Sequence, residues 1–429
     1  MPKTTDLTAP VSRSSLAIAA ASTVIEWYDF TLYLYLVTVL SRAFFGTAPT
    51  SIAAALAGFA LAYLMRPLGA LVFGHVGDRY GRRTTMLASM ALMTAAMLAT
   101  ACLPTREAIG PAAGGLLIAL RCVMAFAVGG EYTGVVAYLI ESAPLRRRGL
   151  ITSLAAAASE VGALLAAGIS AALALLLAPA ALDAWGWRIA FMLGAAMAGI
   201  VLVARMHLQE TPEFERQRSA GSIPVYPAWQ MLTRNPKPVA RGFAISALGS
   251  ISYYVGITYV PTMLISTGVM AKGRALVLAT LAAVVVIAVT PFVGLASDRF
   301  GRRPVLLAVT LLCAVLPVAL FAAMSGASFA QALSAAIVLA ALGGAFSAVG
   351  AVTTAELLPG EGRLSGLALG TTAATALFGG LTPYLAQRWI DASGLRIVPG
   401  IMIACVALAL LPVLWWMPET HPAYRDMEN

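Results

Sequence analysis

Six ionisable residues stand inside long apolar stretches of this 429-residue chain: Glu26, Asp29, Arg66, Arg121, Glu131 and Glu160. A charge at the centre of a bilayer costs about 2.5–3.5 kcal/mol on insertion scales, so each needs a partner or a purpose. Their types suit proton exchange. Poor hydration drives a carboxyl toward its neutral form, and a nearby guanidinium drives it back. A carboxyl held between the two can load and release a proton. Arginine suits the fixed partner, because it stays charged and grips a carboxylate with two parallel bonds.

Helical spacing gathers these residues. Ser22, Glu26, Asp29 and Tyr33 recur on one helix face, and Arg121, Ala125, Val128 and Tyr132 repeat the spacing. A rise of about 1.5 Å per residue puts Asp29 roughly 10 Å and Arg121 roughly 12 Å below the outer boundary, so the two can pair. Glu26 and Glu160 fall near the midplane. Arg66 and Glu131 fall in the inner half, as a second pair. The expected roles are Asp29 as principal proton carrier, Arg121 as its conditional partner, and Glu26 as a second carrier. A substrate carboxylate would compete for Arg121. Glu131 and Glu160 are further proton-coupling candidates, and Arg66, Tyr33 and Tyr132 join Arg121 as substrate contacts. The second half carries no charge at mid-depth, so Ser250, Tyr253, Tyr254, Thr258, Thr371, Thr372 and Thr382 are expected to offer neutral hydrogen bonds.

The elements that position these groups follow from composition. The chain is 60% hydrophobic and 11% charged, against about half and a quarter in soluble domains. A single soluble core stops growing near roughly 250–300 residues. The bilayer must therefore solvate most of this surface, which excludes a soluble enzyme, a disordered chain and a disulfide scaffold. Twelve apolar runs are long enough to span, near 16–43, 52–75, 84–104, 112–140, 150–178, 187–208, 239–267, 275–297, 303–325, 329–358, 364–389 and 396–417. Glu26 and Asp29 in the first run argue against a cleaved signal peptide. With the amino terminus inside, the inner segments hold 19 of the 28 Lys and Arg and the outer segments 7, leaving Arg66 and Arg121 in the membrane. That bias puts both termini in the cytoplasm. It also explains the net charge of +9 without nucleic acid.

The chain repeats itself. Gly77-Asp78-Arg79-Tyr80-Gly81-Arg82-Arg83 follows the second run, and Ser297-Asp298-Arg299-Phe300-Gly301-Arg302-Arg303 follows the eighth. Glu141 and Arg148 match Glu356 and Arg363, and Glu210 matches Glu419, at offsets of 220, 215 and 209 residues. Three repeats in one order imply two six-helix halves, 1–208 and 239–429, joined by a cytoplasmic linker over 209–238. Acid and base alternate among these span ends, so they are expected to form a cytoplasmic gate of ion pairs.

The two DRxGRR loops resemble the signature of the major facilitator superfamily. Glu26-Trp27-Tyr28-Asp29-Phe30, Met65-Arg66-Pro67-Leu68-Gly69, Gly129-Gly130-Glu131-Tyr132, Trp185-Gly186-Trp187-Arg188 and Phe378-Gly379-Gly380-Leu381-Thr382-Pro383 resemble its metabolite:proton symporter family. The resemblance implies proton-coupled uptake of a small polar metabolite across a bacterial inner membrane. A di- or tricarboxylate is the leading substrate class. Proline or betaine, shikimate-type acids, and a proton-driven exporter of the same fold are the alternatives. No lysine (Lys3, Lys237, Lys272) follows glycine, so there is no phosphate loop. The four cysteines lack CxxC spacing and the three histidines are scattered, so no metal or cofactor is expected. The expected partners are a small molecule, protons and lipid, around a functional monomer.

Overall fold

Hydrocarbon offers no partner to a bare backbone group, so a spanning segment must close its hydrogen bonds within itself. The apolar runs accordingly fold as helices in the computed structural model, which describes residues 13–48, 50–324 and 328–425. Lys3 and the rest of the polar start lie outside the described residues. Among the described residues there is no strand, and ten helices are long and apolar enough to cross a membrane. They are Ser51–Tyr80, Arg82–Cys102, Ala112–Ser142, Leu145–Leu176, Pro179–Arg205, Gly273–Phe300, Arg302–Met324, Phe329–Leu357, Arg363–Ser393 and Val398–Trp415. A pair bent by 43°, Pro236–Thr258 and Val260–Ser266, makes another. The first helix, Arg13–Tyr35 and Val37–Phe45, runs on through Leu36, whose N–H donates to Leu32 at 3.0 Å. It is less apolar because it carries Glu26 and Asp29. With this first helix counted, the described residues make twelve spans, numbered 1 to 12 in chain order.

Three spans are irregular where they approach the molecular centre, and span 6 carries a further π turn at its start, over Leu182–Gly186. Span 2 breaks at Leu64, just before Pro67. Span 7 widens to a π turn over Tyr254–Thr258, and span 11 does so over Ala368–Thr372 and Ala376–Gly380. Such turns re-aim side chains and are frequent at functional sites.

Two hydrophobic cores form, one on each side of the linker. Tyr28, Met97, Leu117 and Phe191 belong to the first, and Leu248, Phe321, Phe346 and Leu410 to the second. The halves meet along span 2 against span 11 and span 5 against span 8. The approach is tightest at the end bearing the linker and both repeated loops, here the linker face. A Cβ on Gly294 would lie 2.6 Å from the Gly149 carbonyl oxygen and 2.5 Å from Ser153 Oγ, and one on Gly77 would lie 2.2 Å from Leu364 Cδ2. A third apolar cluster bridges the halves there, drawing Val136 and Ile140 from span 4, Val239 from span 7, Val352 from span 10, Leu364 and Leu367 from span 11, and Met231 from the linker. The linker itself folds into two short helices, Pro212–Ala220 and Pro227–Arg234.

Gly294→Val should hold the linker face apart, since its side chain meets the Gly149 backbone carbonyl as well as the short Ser153 side chain, and neither can swing far away. Charged thiol reagents added from that face should modify a Ser246→Cys reporter, on span 7 at the wall of the space between the halves, at least about tenfold faster in this background, a shift of roughly 1.4 kcal/mol between the two states. An unchanged rate would mean that closure does not depend on this contact.

Candidate functional site

Span 1 presents Ser22, Glu26, Asp29 and Tyr33 toward the centre of the first half, and three charge pairs stack along it. Nearest the far face, Arg121 Nη1 donates to Asp29 Oδ2 at 2.8 Å and Nη2 to Thr100 Oγ1 at 3.1 Å. The guanidinium also faces the rings of Tyr33 and Phe191 at 5.6 and 5.4 Å. In the middle layer Arg66 Nη2 lies 3.9 Å from Glu26 Oε1, too far for a hydrogen bond. Aromatic faces hold this guanidinium instead, Phe30 at 4.8 Å and Tyr63 at 4.9 Å. Nearest the linker face, Arg205 pairs with Glu131 and donates to Ser22, with Arg205 Nη1 to Glu131 Oε2 at 3.0 Å. Ser89 completes this layer by donating to Glu131 at 2.6 Å. The Arg205 and Glu131 side chains are both 0% exposed.

The last pair corrects two expectations. Glu131 does not pair with Arg66, because Arg66 turns toward Glu26 on span 1. Arg205, one of the 19 Lys and Arg counted to the inner segments, does not stand in a loop but occupies the buried face of span 6 with Phe191, Ala195 and Ala198.

Two cavities adjoin these layers. The larger, of about 160 Å³, lies between the halves and is lined by Glu26, Arg66, Tyr132, Ser250, Tyr253 and Tyr254, among others. The smaller, of about 30 Å³, holds Asp29, Arg121 and Tyr33. Glu26, Tyr63 and Arg66 border both. Arg121 and Asp29 thus sit behind the wall of the larger space, and Arg66 is the arginine that faces into it. Tyr33 also stands back, donating to the Ala55 carbonyl at 2.9 Å and stacking on Phe59. Glu160 is buried beside Tyr253 and lines neither cavity. Thr371 and Thr372 reach the larger cavity, whereas Thr258 and Thr382 do not, and Thr382 bonds back to the Phe378 carbonyl. Toward the far face an aromatic layer crosses between the halves, with Tyr63 and Tyr254 hydroxyls 2.8 Å apart and Trp27 edge-on to Tyr253 at 5.3 Å. Toward the linker face, Val136 and Leu367 of the bridging cluster form the floor.

Below that floor the repeated charges interlock. Asp78 accepts from the N–H groups of Leu364 and Ser365 in the first turn of span 11, at 3.2 and 2.8 Å. Asp298 accepts from Gly149 and Leu150 at the start of span 5, both at 2.8 Å. Each half therefore sets a carboxylate on a helix N-terminus of the other, where the dipole favours it. Arg82 binds Glu141 at 3.0 Å and the Gly360 carbonyl of the other half at 2.8 Å. Arg302 binds Glu356 and Asp298 within its own half. Arg363 reaches Glu141 at 2.7 Å, and Arg148 lies 4.0 Å from Glu356. The contacts described for the other expected gate residues lie within one half or reach the linker. Glu210 caps the N-terminus of span 3 and Glu419 that of span 9. Burial raises the Glu210 carboxyl above its usual range despite those N–H donors. Arg83 and Arg303 bond carbonyls in their own halves, Arg79 reaches the Val225 carbonyl of the linker, and Arg299 covers Phe300.

A family model described as "Sugar (and other) transporter" matches residues 15–222 and again 213–424. The chain is 33% identical to the alpha-ketoglutarate permease of Escherichia coli K12 over 86% of its own length and 85% of that protein's. The chain belongs to this transporter family, within the major facilitator superfamily. It is also 29% identical to the proline/betaine transporter of the same strain, over 95% of this chain and 84% of that one. A proton:xylose symporter solved with 6-bromo-6-deoxy-D-glucose shares the fold, with a TM-score of 0.81 at 19% identity over 95% and 96% of the two chains. This family member is a multi-pass transporter of the bacterial inner-membrane type, not an enzyme, and stands among proton-coupled symporters of small metabolites.

Sequence reasoning missed Arg205, Tyr63 and Trp27 in this transporter. Arg205 keeps the phase of the small, buried positions Gly194 and Ala198, a signal masked by its place in the last turn. Removing Arg205 should strand Glu131 as an unpaired buried charge. Arg205→Met is expected to cost about 3–5 kcal/mol and to lower the melting temperature in detergent. Adding Glu131→Gln should recover most of the loss. Wild-type melting of the single variant would show that the pair carries no weight.

Proposed function

We propose that this transporter imports a small organic acid together with protons, by alternating access, with the linker face in the cytoplasm. The observation that carries the reading is the difference between the two arginines nearest the cavities. Both terminal nitrogens of Arg121 are engaged, one with Asp29 and one with Thr100, and only its buried Nε has no hydrogen-bond partner among the described residues. Arg66 has ring faces and a carboxylate 3.9 Å away, which leaves N–H donors for a ligand in the larger cavity. A substrate carboxylate that takes Arg66 removes the counter-charge of Glu26, and Glu26 then binds a proton. Substrate and proton so enter together. Asp29, with Arg121, sits in the adjoining cavity as the second proton station. This moves the competition with substrate from Arg121, where the sequence suggested it, to Arg66. One cation on the cavity wall fits a substrate that presents one carboxylate there and meets Ser250, Tyr132 and Tyr254 elsewhere. It fits a citrate-like tricarboxylate less well. The excess of Lys and Arg in the segments on the linker face supports the orientation. Both cavities are complete within one chain, which supports a functional monomer.

A zwitterionic osmolyte is the second reading. Trp27, Tyr63, Tyr132, Tyr253 and Tyr254 give the cavity an aromatic wall, which attracts a quaternary ammonium.

Glu26→Gln and Asp29→Asn are expected to abolish accumulation against a gradient in proteoliposomes, while Glu26→Gln keeps substrate counterflow. Arg66→Lys should raise KM at least about tenfold, since a point charge does not replace a planar fork. Accumulation by Glu26→Gln would remove the coupling assignment. A thermal-shift comparison of 2-oxoglutarate, citrate and glycine betaine separates the substrate readings, because a specific ligand stabilises the folded state. Stabilisation by betaine alone would favour the osmolyte.

A further inference from the structure

The two linker helices differ in what they show to their surroundings. The first, Pro212–Ala220, carries exposed ion pairs, Arg216 with Glu213 at 2.8 Å and Arg218 with Glu215 at 2.9 Å. It is dressed for water. The second, Pro227–Arg234, is apolar on two opposite sides. Its inward residue, Met231, is 0% exposed and belongs to the cluster that joins the halves below the cavity. Met231 meets span 11 so closely that a Cβ on Gly362 or Gly366 would lie 2.9 Å from it. Its outward side, with the residues just before the helix, presents Val225, Tyr226, Trp229 and Leu232, all roughly half to three-quarters exposed.

Three observations say what covers that outward side. The helix lies at the depth of an aromatic belt, because Tyr80, Phe300, Trp415 and Trp416 stand exposed where spans 2, 8 and 12 end on the same face. Exposed tryptophan and tyrosine at span ends mark the membrane–water boundary. Arg79 of span 2 ties the patch to this belt by donating to the Val225 carbonyl at 3.3 Å. Exposed Arg234 and Lys237 follow the apolar stripe directly, which gives it the charge that anionic headgroups match.

We infer that the second linker helix is an interfacial anchor for anionic lipid, and that lipid holding Trp229 and Leu232 keeps Met231 seated between the halves. Lipid on one side of the helix and the inter-half cluster on the other then act through one rigid turn. Met231 lies in the cluster that joins both halves with the linker face shut, so lipid that keeps it seated favours the shut state. The inference rests on alternating access but not on any particular substrate.

The test uses the full-length transporter in vesicles of phosphatidylcholine alone and of phosphatidylcholine with phosphatidylglycerol. Brominated acyl chains should quench a component of the tryptophan emission that is lost in Trp229→Phe. Absence of that component would place the helix in water or against a protein and overturn the inference. The Ser246→Cys reporter should react at least about threefold more slowly from the linker face in the anionic vesicles. Trp229→Gln with Leu232→Gln should abolish the lipid dependence, whereas Met231→Ala should speed the reaction in both lipids. Equal rates in the two vesicle types for the parent protein would also overturn it. Neither result bears on proton coupling, which Glu26→Gln tests separately.

Discussion

A charge removed from water must find an opposite charge, and this requirement organises the first half of the molecule. Spans 1, 2, 3, 4 and 6 each bring one side of a pair or a hydroxyl that completes it. Arg121 on span 4 needs Asp29 on span 1, and Arg205 on span 6 needs Glu131 on span 4. Helix positions that satisfy both pairs at once are few, so the pairs fix register as well as depth. The pairs also differ in tightness. The pairs nearest the far face and nearest the linker face are closed by hydrogen bonds, and the middle one is held by ring faces and a 3.9 Å charge contact. The loose pair is the one that borders both cavities, which is where a ligand can change the balance of charge.

The second half solves a different problem. Among the described residues it offers hydroxyls and rings to the cavity and no ionised group, so it can move relative to the first half without stranding a charge there. Its contacts with the first half on the linker face are polar at the rim and apolar at the floor. The rim places Asp78 and Asp298 on helix N-termini across the junction, and the floor is a cluster that includes a methionine from the linker. Such contacts are strong when made and leave solvated groups when broken. This suits an element with two discrete arrangements.

The linker belongs to this scheme rather than merely joining two bundles. Its second helix contributes to the floor through Met231 and meets the membrane boundary through Trp229. The seal below the cavity and the lipid around the protein are thereby one helix diameter apart.

Composition, run length and repetition determined the class of the molecule. Apolar runs of about twenty residues have one stable form in lipid, and the repeat of Asp78 to Arg83 at Asp298 to Arg303 required two alike halves. The Asp29–Arg121 pair was legible too, because both positions follow from counting turns along uninterrupted helices. Partners decided by side-chain direction were not legible. Depth alone allowed Arg66 to meet Glu131, but rotation of span 2 turned it to Glu26. Arg205 looked like one more positive residue at a span end until the packing of span 6 buried it. Which arginine faces the cavity, and which charges cross between halves, depend on helix rotation and tilt. Those are set by packing between segments far apart in the chain, and a linear pattern does not contain them.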